Sequence, residues 1–134
     1  MSTNPYSAYD TAVTTADPVT LTTMLFDGAV KAIRKARIHF EAKNRESFLL
    51  ETNRAYLIIG ELLATLDLDQ GDLPRQLSGI YTYCMRLLIQ ATPGDASKLD
   101  EVERHIVKIG ESWKEATAAL KASTPAAPFG EAAA

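Results

Sequence analysis

Residues 99–120 read LDEVERHIVKIGESWKEATAAL. Within them Leu99, Val102, Ile106, Ile109, Trp113, Ala116 and Leu120 recur in alternating steps of three and four. At about 100° per residue, those steps return each apolar side chain to one face of a helix. An unbroken alternation of this kind is the seam of a helix packed in a bundle. A seam of this sort needs partner helices, so the rest of the chain must supply them.

Working back from Leu99, Thr92-Pro93-Gly94 ends a preceding helix, because proline lacks the N–H that would continue the ladder. That helix carries Leu73, Leu77, Ile80, Cys84, Leu87 and Ala91 as a stripe, widened by Tyr81, Tyr83, Met85, Leu88 and Ile89. Asp72 or a neighbour caps its start, with Pro74 tolerated in the first turn. Gly71-Asp72 separates it from a helix capped by Asn44, whose stripe is Phe48, Thr52, Ala55, Ile59, Leu62 and Leu66. Tyr56, Leu57, Ile58 and Leu63 lie off that stripe. The first helix opens at Asp17-Pro18, an N-cap followed by the residue best suited to the first helical position. It carries Leu21, Met24, Leu25, Gly28, Ala32, Ile33, Ala36 and Phe40 on one face. Gly28, Ala32 and Ala36 are small and four apart, which lets a neighbouring helix approach closely.

No stretch alternates apolar and polar residues as a half-buried strand would. Four helices joined by short loops predict an all-α, antiparallel up-down four-helix bundle. The expected organisation is a short N-terminal cap segment at 1–17, a helical bundle domain at 18–120 and a disordered tail at 121–134, rich in Ala and poor in charge. The cap expectation comes from Tyr6, Tyr9 and Val13. Lead-in segments are usually polar and mobile, and rings placed there need a surface to cover.

Composition narrows the function. A net charge of −3 over 134 residues leaves no electrostatic footprint for nucleic acid, and Lys31, Arg34 and Lys35 read as an ordinary solvated face. No apolar run approaches the roughly 18 residues that would imply membrane insertion. No basic stretch followed by an apolar one marks a signal peptide. The single cysteine, Cys84, excludes an internal disulfide and lies on a core stripe. These features together fit a reducing cytoplasm.

Chemistry finds little footing. A di-iron bundle needs Glu-x-x-His on two helices, but Ala36 and Val102 precede His39 and His105 by three. No metal, cofactor or catalytic set is therefore expected, and the chain does not read as an enzyme. A histidine phosphotransfer module is the enzymatic alternative, because His105 and Lys108 resemble His-x-x-Lys-Gly. The glycine is misplaced, at Gly110, and bulky Ile109 stands where clearance is required. What remains is apolar surface on the second and third helices beyond the needs of one seam. Such surface fits either a groove for a partner helix or self-association. Periodicity leaves open which stripe faces the core and which a groove.

The ordered set of short motifs resembles the flagellin-specific export chaperones, the FliS family. Tyr6, Tyr9, Val13, Thr15-Ala16 and Pro18 are similar to that family's tyrosine-containing lead-in and Thr-Ala-x-Pro turn. Leu21 and Met24-Leu25-Phe26-Asp27-Gly28 resemble its Met-Leu-Tyr-Asp-Gly signature, with Phe26 in place of the usual Tyr. Ile58-Ile59-Gly60-Glu61-Leu62 with Thr65-Leu66-Asp67 resembles Ile-Ile-x-Glu-Leu…Thr-Leu-Asp, and Gly60 costs up to about 1 kcal/mol relative to Ala in a helix. Ile80-Tyr81-Thr82-Tyr83-Cys84-Met85 resembles Leu-Tyr-x-Tyr-Met, with Thr82 in place of a common Asp, and Val102 and Trp113 fall where the family has Val and Trp. The resemblance covers roughly Asn4 to Ala119.

The resemblance implies a cytoplasmic chaperone. It would bind the disordered C-terminal segment of flagellin, prevent premature polymerisation, and help deliver the client to a component of the flagellar type III export gate. It also implies a cap over the binding groove by the N-terminal segment. The free protein is expected to be a monomer and the complex 1:1. The candidate partner-binding residues are Tyr6, Tyr9, Val13, Met24, Leu25, Leu62, Leu66, Tyr81 and Leu88.

Overall fold

The computed structural model describes residues 17–123. Four helices account for most of them: α1 (Pro18–Glu41), α2 (Arg45–Ala64), α3 (Asp72–Gln90) and α4 (Ser97–Ser123). The principal contacts run α1 with α2, α2 with α3, α3 with α4, and α4 back to α1. The result is an antiparallel four-helix bundle, square in section. Among the described residues there is no strand.

Each helix starts where local chemistry can satisfy its open N–H groups. The Asp17 carboxylate accepts from the Thr20 N–H at 2.7 Å, with Pro18 in the first turn. Asn44 Oδ1 accepts from the Ser47 N–H at 3.2 Å and starts α2. Between them the chain reverses through Lys43, a non-glycine residue in the left-handed region at φ 59°. At α3 the cap falls on the neighbour of Asp72, without a side-chain bond. Gly71 occupies the cap position at φ 111°, and Asp72 is already helical. That backbone conformation strongly favours glycine, so chain geometry rather than a capping carboxylate sets this start. Ahead of α4, Thr92 and Asp95 exchange two backbone hydrogen bonds, and Asp95 Oδ1 accepts from the Ser97 N–H at 3.0 Å.

Phe48, Ile33, Ile59, Leu62, Leu99 and Ile106 are the largest fully buried apolar side chains. Each contributes on the order of 1.5–3 kcal/mol by leaving water. Small residues set the α1–α2 spacing: Ala29, Ala32 and Ala36 are buried, and a Cβ added at Gly28 would meet Ile58 Cδ1 at 3.4 Å. α1 and α4 are joined by polar contacts as well. Trp113 Nε1 donates to Thr23 Oγ1 at 2.9 Å. Arg34 and Arg37 both reach Glu103, at 2.8 and 2.6 Å, and Arg37 also reaches Asp100 at 2.9 Å.

Three expectations change. Leu73 is 65 % exposed, so the α3 stripe starts at Leu77. The α4 seam buries Leu99, Val102 and Ile106, but Ala116 and Leu120 are exposed. α4 has 27 residues against 19 in α3, about 40 Å against about 28 Å, so its last turns outrun that neighbour. Finally, the helix runs through Ser123, past the expected end at Leu120. Lys121 and Ala122 are good helix formers, and no breaker comes before Pro125.

Candidate functional site

The apolar surplus of α2 and α3 resolves into two sectors. On α2, Phe48, Thr52, Ala55, Ile59 and Leu62 face the core. Leu49, Leu50 and Leu57 are 51 %, 56 % and 58 % exposed. At about 100° per residue Leu49 lies about 100° from the centre of the core stripe, on its flank, and Leu50 and Leu57 lie nearly opposite it. On α3, Ile89 is 67 % exposed beside buried Leu88. Between the two helices runs an open groove of about 380 Å³, lined by Leu49, Thr52, Asn53 and Tyr56 from α2 and Leu88, Ile89 and Ala91 from α3.

No charged side chain lines this groove. Its polar groups are few, and Thr52 spends its hydroxyl on the Leu49 carbonyl at 3.1 Å. Such a surface can take an apolar helix face and offers nothing to a charged small molecule. The nearby Glu51 carboxylate is buried and turned to Arg54, both its oxygens lying 3.3 Å from Nη1.

The candidate residues from the sequence divide three ways. Tyr6, Tyr9 and Val13 lie outside the described residues. Met24 and Leu66 are half-buried. Leu25, Leu62, Tyr81 and Leu88 are buried in the bundle core, and only Leu88 also floors the groove. Leu25, Leu62 and Tyr81 therefore hold the bundle together and present almost no surface to a partner in this arrangement. Sequence reasoning placed them at a binding surface because a core stripe and a groove stripe have the same period. Leu49, Leu50, Leu57 and Ile89 stand outside that candidate set and carried a weak signal of exposed apolar surface. They are apolar residues at positions that a fully solvated helix face would fill with charge.

Ionisable groups elsewhere serve packing. Burial pushes the Cys84 thiol up to about 12, with the Glu101 charge adding to it, and burial pushes the Tyr81 hydroxyl up to about 12. Tyr83 donates to Glu101 Oε2 at 2.7 Å, which raises the phenol and holds the carboxyl below its usual range. His105 stands 3.5 Å from the same Glu101 oxygen and edge-on to the Tyr83 ring. The small residue that phosphotransfer would need near His105 is Gly110, which is buried against Phe26. Among the described residues, no three His, Cys, Asp or Glu side chains come together as a metal site. No helix there is long and apolar enough to cross a membrane.

Comparison with known proteins follows the same line as the geometry. Residues 2–120 match the family model described as flagellar protein FliS. The chain is 36 % identical over 115 residues to the flagellar secretion chaperone FliS of Bacillus subtilis, covering 84 % of this chain and 86 % of that one. It is 37 % identical over 109 residues to the flagellar secretion chaperone FliS of Salmonella typhimurium, covering 79 % and 81 %. It is 34 % identical over 109 residues to the protein of the same name from Escherichia coli, covering 79 % and 80 %.

Proposed function

The chain belongs to the FliS family, and from that premise we propose that it binds the disordered C-terminal segment of flagellin in the cytoplasm and keeps it from polymerising before export. FliS is a chaperone family and not an enzyme family. The observation that carries the finer reading is the uncharged groove between α2 and α3, with Leu49 and Ile89 exposed along it and Leu50 and Leu57 exposed on the outer face of α2 beyond it. An amphipathic helix laid in such a groove buries its own apolar stripe together with these side chains. Met24 and Leu66, both half-buried, extend the proposed contact surface.

The N-terminal segment, through Tyr6, Tyr9 and Val13, acts as a removable cap on the bundle domain. A self-cap lowers apparent client affinity by the fraction of molecules left open. Because the client is disordered when free, ordering it offsets part of the burial gain. The loaded 1:1 complex then presents flagellin to the export gate.

The test is calorimetric titration of the full chain with a peptide spanning the C-terminal region of flagellin from the same organism, with circular dichroism alongside. One saturable site, added helicity and a negative heat-capacity change support the reading. No heat and no gain of helix, from a protein that is folded, overturns it. If the apolar sector instead serves self-association, size-exclusion chromatography shows a mass that rises with concentration.

A further inference from the structure

A second groove, of about 400 Å³, runs between α1 and α4. The contact order of the helices puts it on the face opposite the α2–α3 groove. Its floor is apolar: Phe26, Val30, Ile106 and Val107, with Ile38 at one end 62 % exposed. Its rim is charged. Lys31, Arg34 and Lys35 from α1 and Lys114 from α4 stand against Asp27 and Glu111, four cations to two anions on a chain whose net charge is −3. Arg34 is engaged with Glu103 and Lys114 with Asp27, at 2.8 and 2.6 Å. Lys31 and Lys35 make no ion pair among the described residues, and they stand one turn apart on the same side of α1.

We propose that this groove is a second docking surface, and that its occupant is an acidic amphipathic helix from a protein other than the exported client. The floor supplies a seat for an apolar stripe, and the two unpaired lysines supply counter-charges for carboxylates flanking that stripe. From Asp27 to Ile38 the groove follows α1 for about 17 Å at 1.5 Å per residue, the length of about three helical turns. The two grooves are alike in size and opposite in chemistry, one without a charge and one rimmed by six. They select different ligands. Lying on opposite faces, they can be filled together.

The experiment uses the full chain and a fluorescein-labelled helical peptide of about fifteen residues, with leucines at three-four spacing flanked by glutamates. A control peptide carries glutamine at each glutamate. By anisotropy at about 50 mM salt, the glutamate peptide is expected to bind at least about tenfold tighter than the control. The two should converge near 1 M salt, where the screening length falls to about 3 Å. Lys31→Glu with Lys35→Glu removes the preference. Ile38→Ser weakens both peptides, and remains usable if the charge-reversed protein does not fold. Saturating flagellin peptide should leave the affinity unchanged within about twofold.

Equal affinity for the two peptides, or a preference that survives the lysine reversals in a folded protein, overturns the proposal. Displacement by flagellin peptide overturns the assignment to a second protein. Failure of the flagellin titration alone touches only the client reading, because the glutamate peptide is scored independently.

Discussion

Replacing Ile89 by lysine separates groove from core more cleanly than any other single change. Ile89 is 67 % exposed, in the last turn of α3, and it lines the α2–α3 groove. Full burial of such a side chain is worth about 1.5–3 kcal/mol, so a client helix that covers the exposed two-thirds gains about 1–2 kcal/mol from it. At 1.4 kcal/mol per tenfold, Ile89→Lys should weaken flagellin-peptide binding about five- to thirty-fold. The desolvation cost of the new charge would push toward the upper end. Stability should move by less than about 0.5 kcal/mol, because the site is exposed and a cation near a helix C-terminus is well placed. The neighbouring Leu88, 3 % exposed, gives the contrast: Leu88→Ala should cost about 2–5 kcal/mol in urea denaturation. Lysine at Leu88 or Leu62 is not a usable probe, since it would bury an unpaired charge and unfold the bundle. Unchanged peptide affinity in folded Ile89→Lys would refute the assignment of the groove to the client.

Other consequences follow from the packing. Gly79→Ala should stabilise by up to about 1 kcal/mol, since nothing lies within 4 Å of the added Cβ and helix propensity alone acts. Gly110→Ala should gain less or lose stability, because its Cβ would sit 3.3 Å from three Phe26 atoms in a buried contact that is slow to yield; equal gains at the two sites in denaturant titrations would contradict this packing. Cys84, with its thiol pushed up to about 12, should resist alkylation at pH 8 in the folded protein and react promptly in denaturant; fast native labelling would place it elsewhere. For Glu103, burial alone would raise the carboxyl, but hydrogen bonds and charge from Arg34 and Arg37 outweigh it and hold the folded value below the unfolded one. Its contribution is therefore fully present above the unfolded glutamate range near about 4.3 and is lost as pH falls through the folded value. The stability gap between the native protein and Glu103→Gln should accordingly shrink on acidification, and a gap independent of pH would count against the pairing.

Much of this molecule is written in local chemistry that needs no tertiary context. Asp17-Pro18 and Asn44 start their helices because an oxygen at those positions reaches an open N–H. The three-four recurrence of Leu99, Val102 and Ile106 buries all three, because a helix can hide only the face its period repeats. The motif order across residues 4–119 is likewise linear information, and the family match over residues 2–120 agrees with it. What periodicity does not contain is how far each neighbour extends and on which side it lies. Ala116 and Leu120 obey the seam yet stand exposed on a helix longer than its partner. Leu62 and Leu57 are equally apolar and share a helix, yet one is fully buried and the other 58 % exposed. Burial is a property of the space between helices, and that space exists only once all four have been placed. For the same reason the lysines of α1, an ordinary solvated face when read along the chain, become the rim of a groove only when α4 lies beside them.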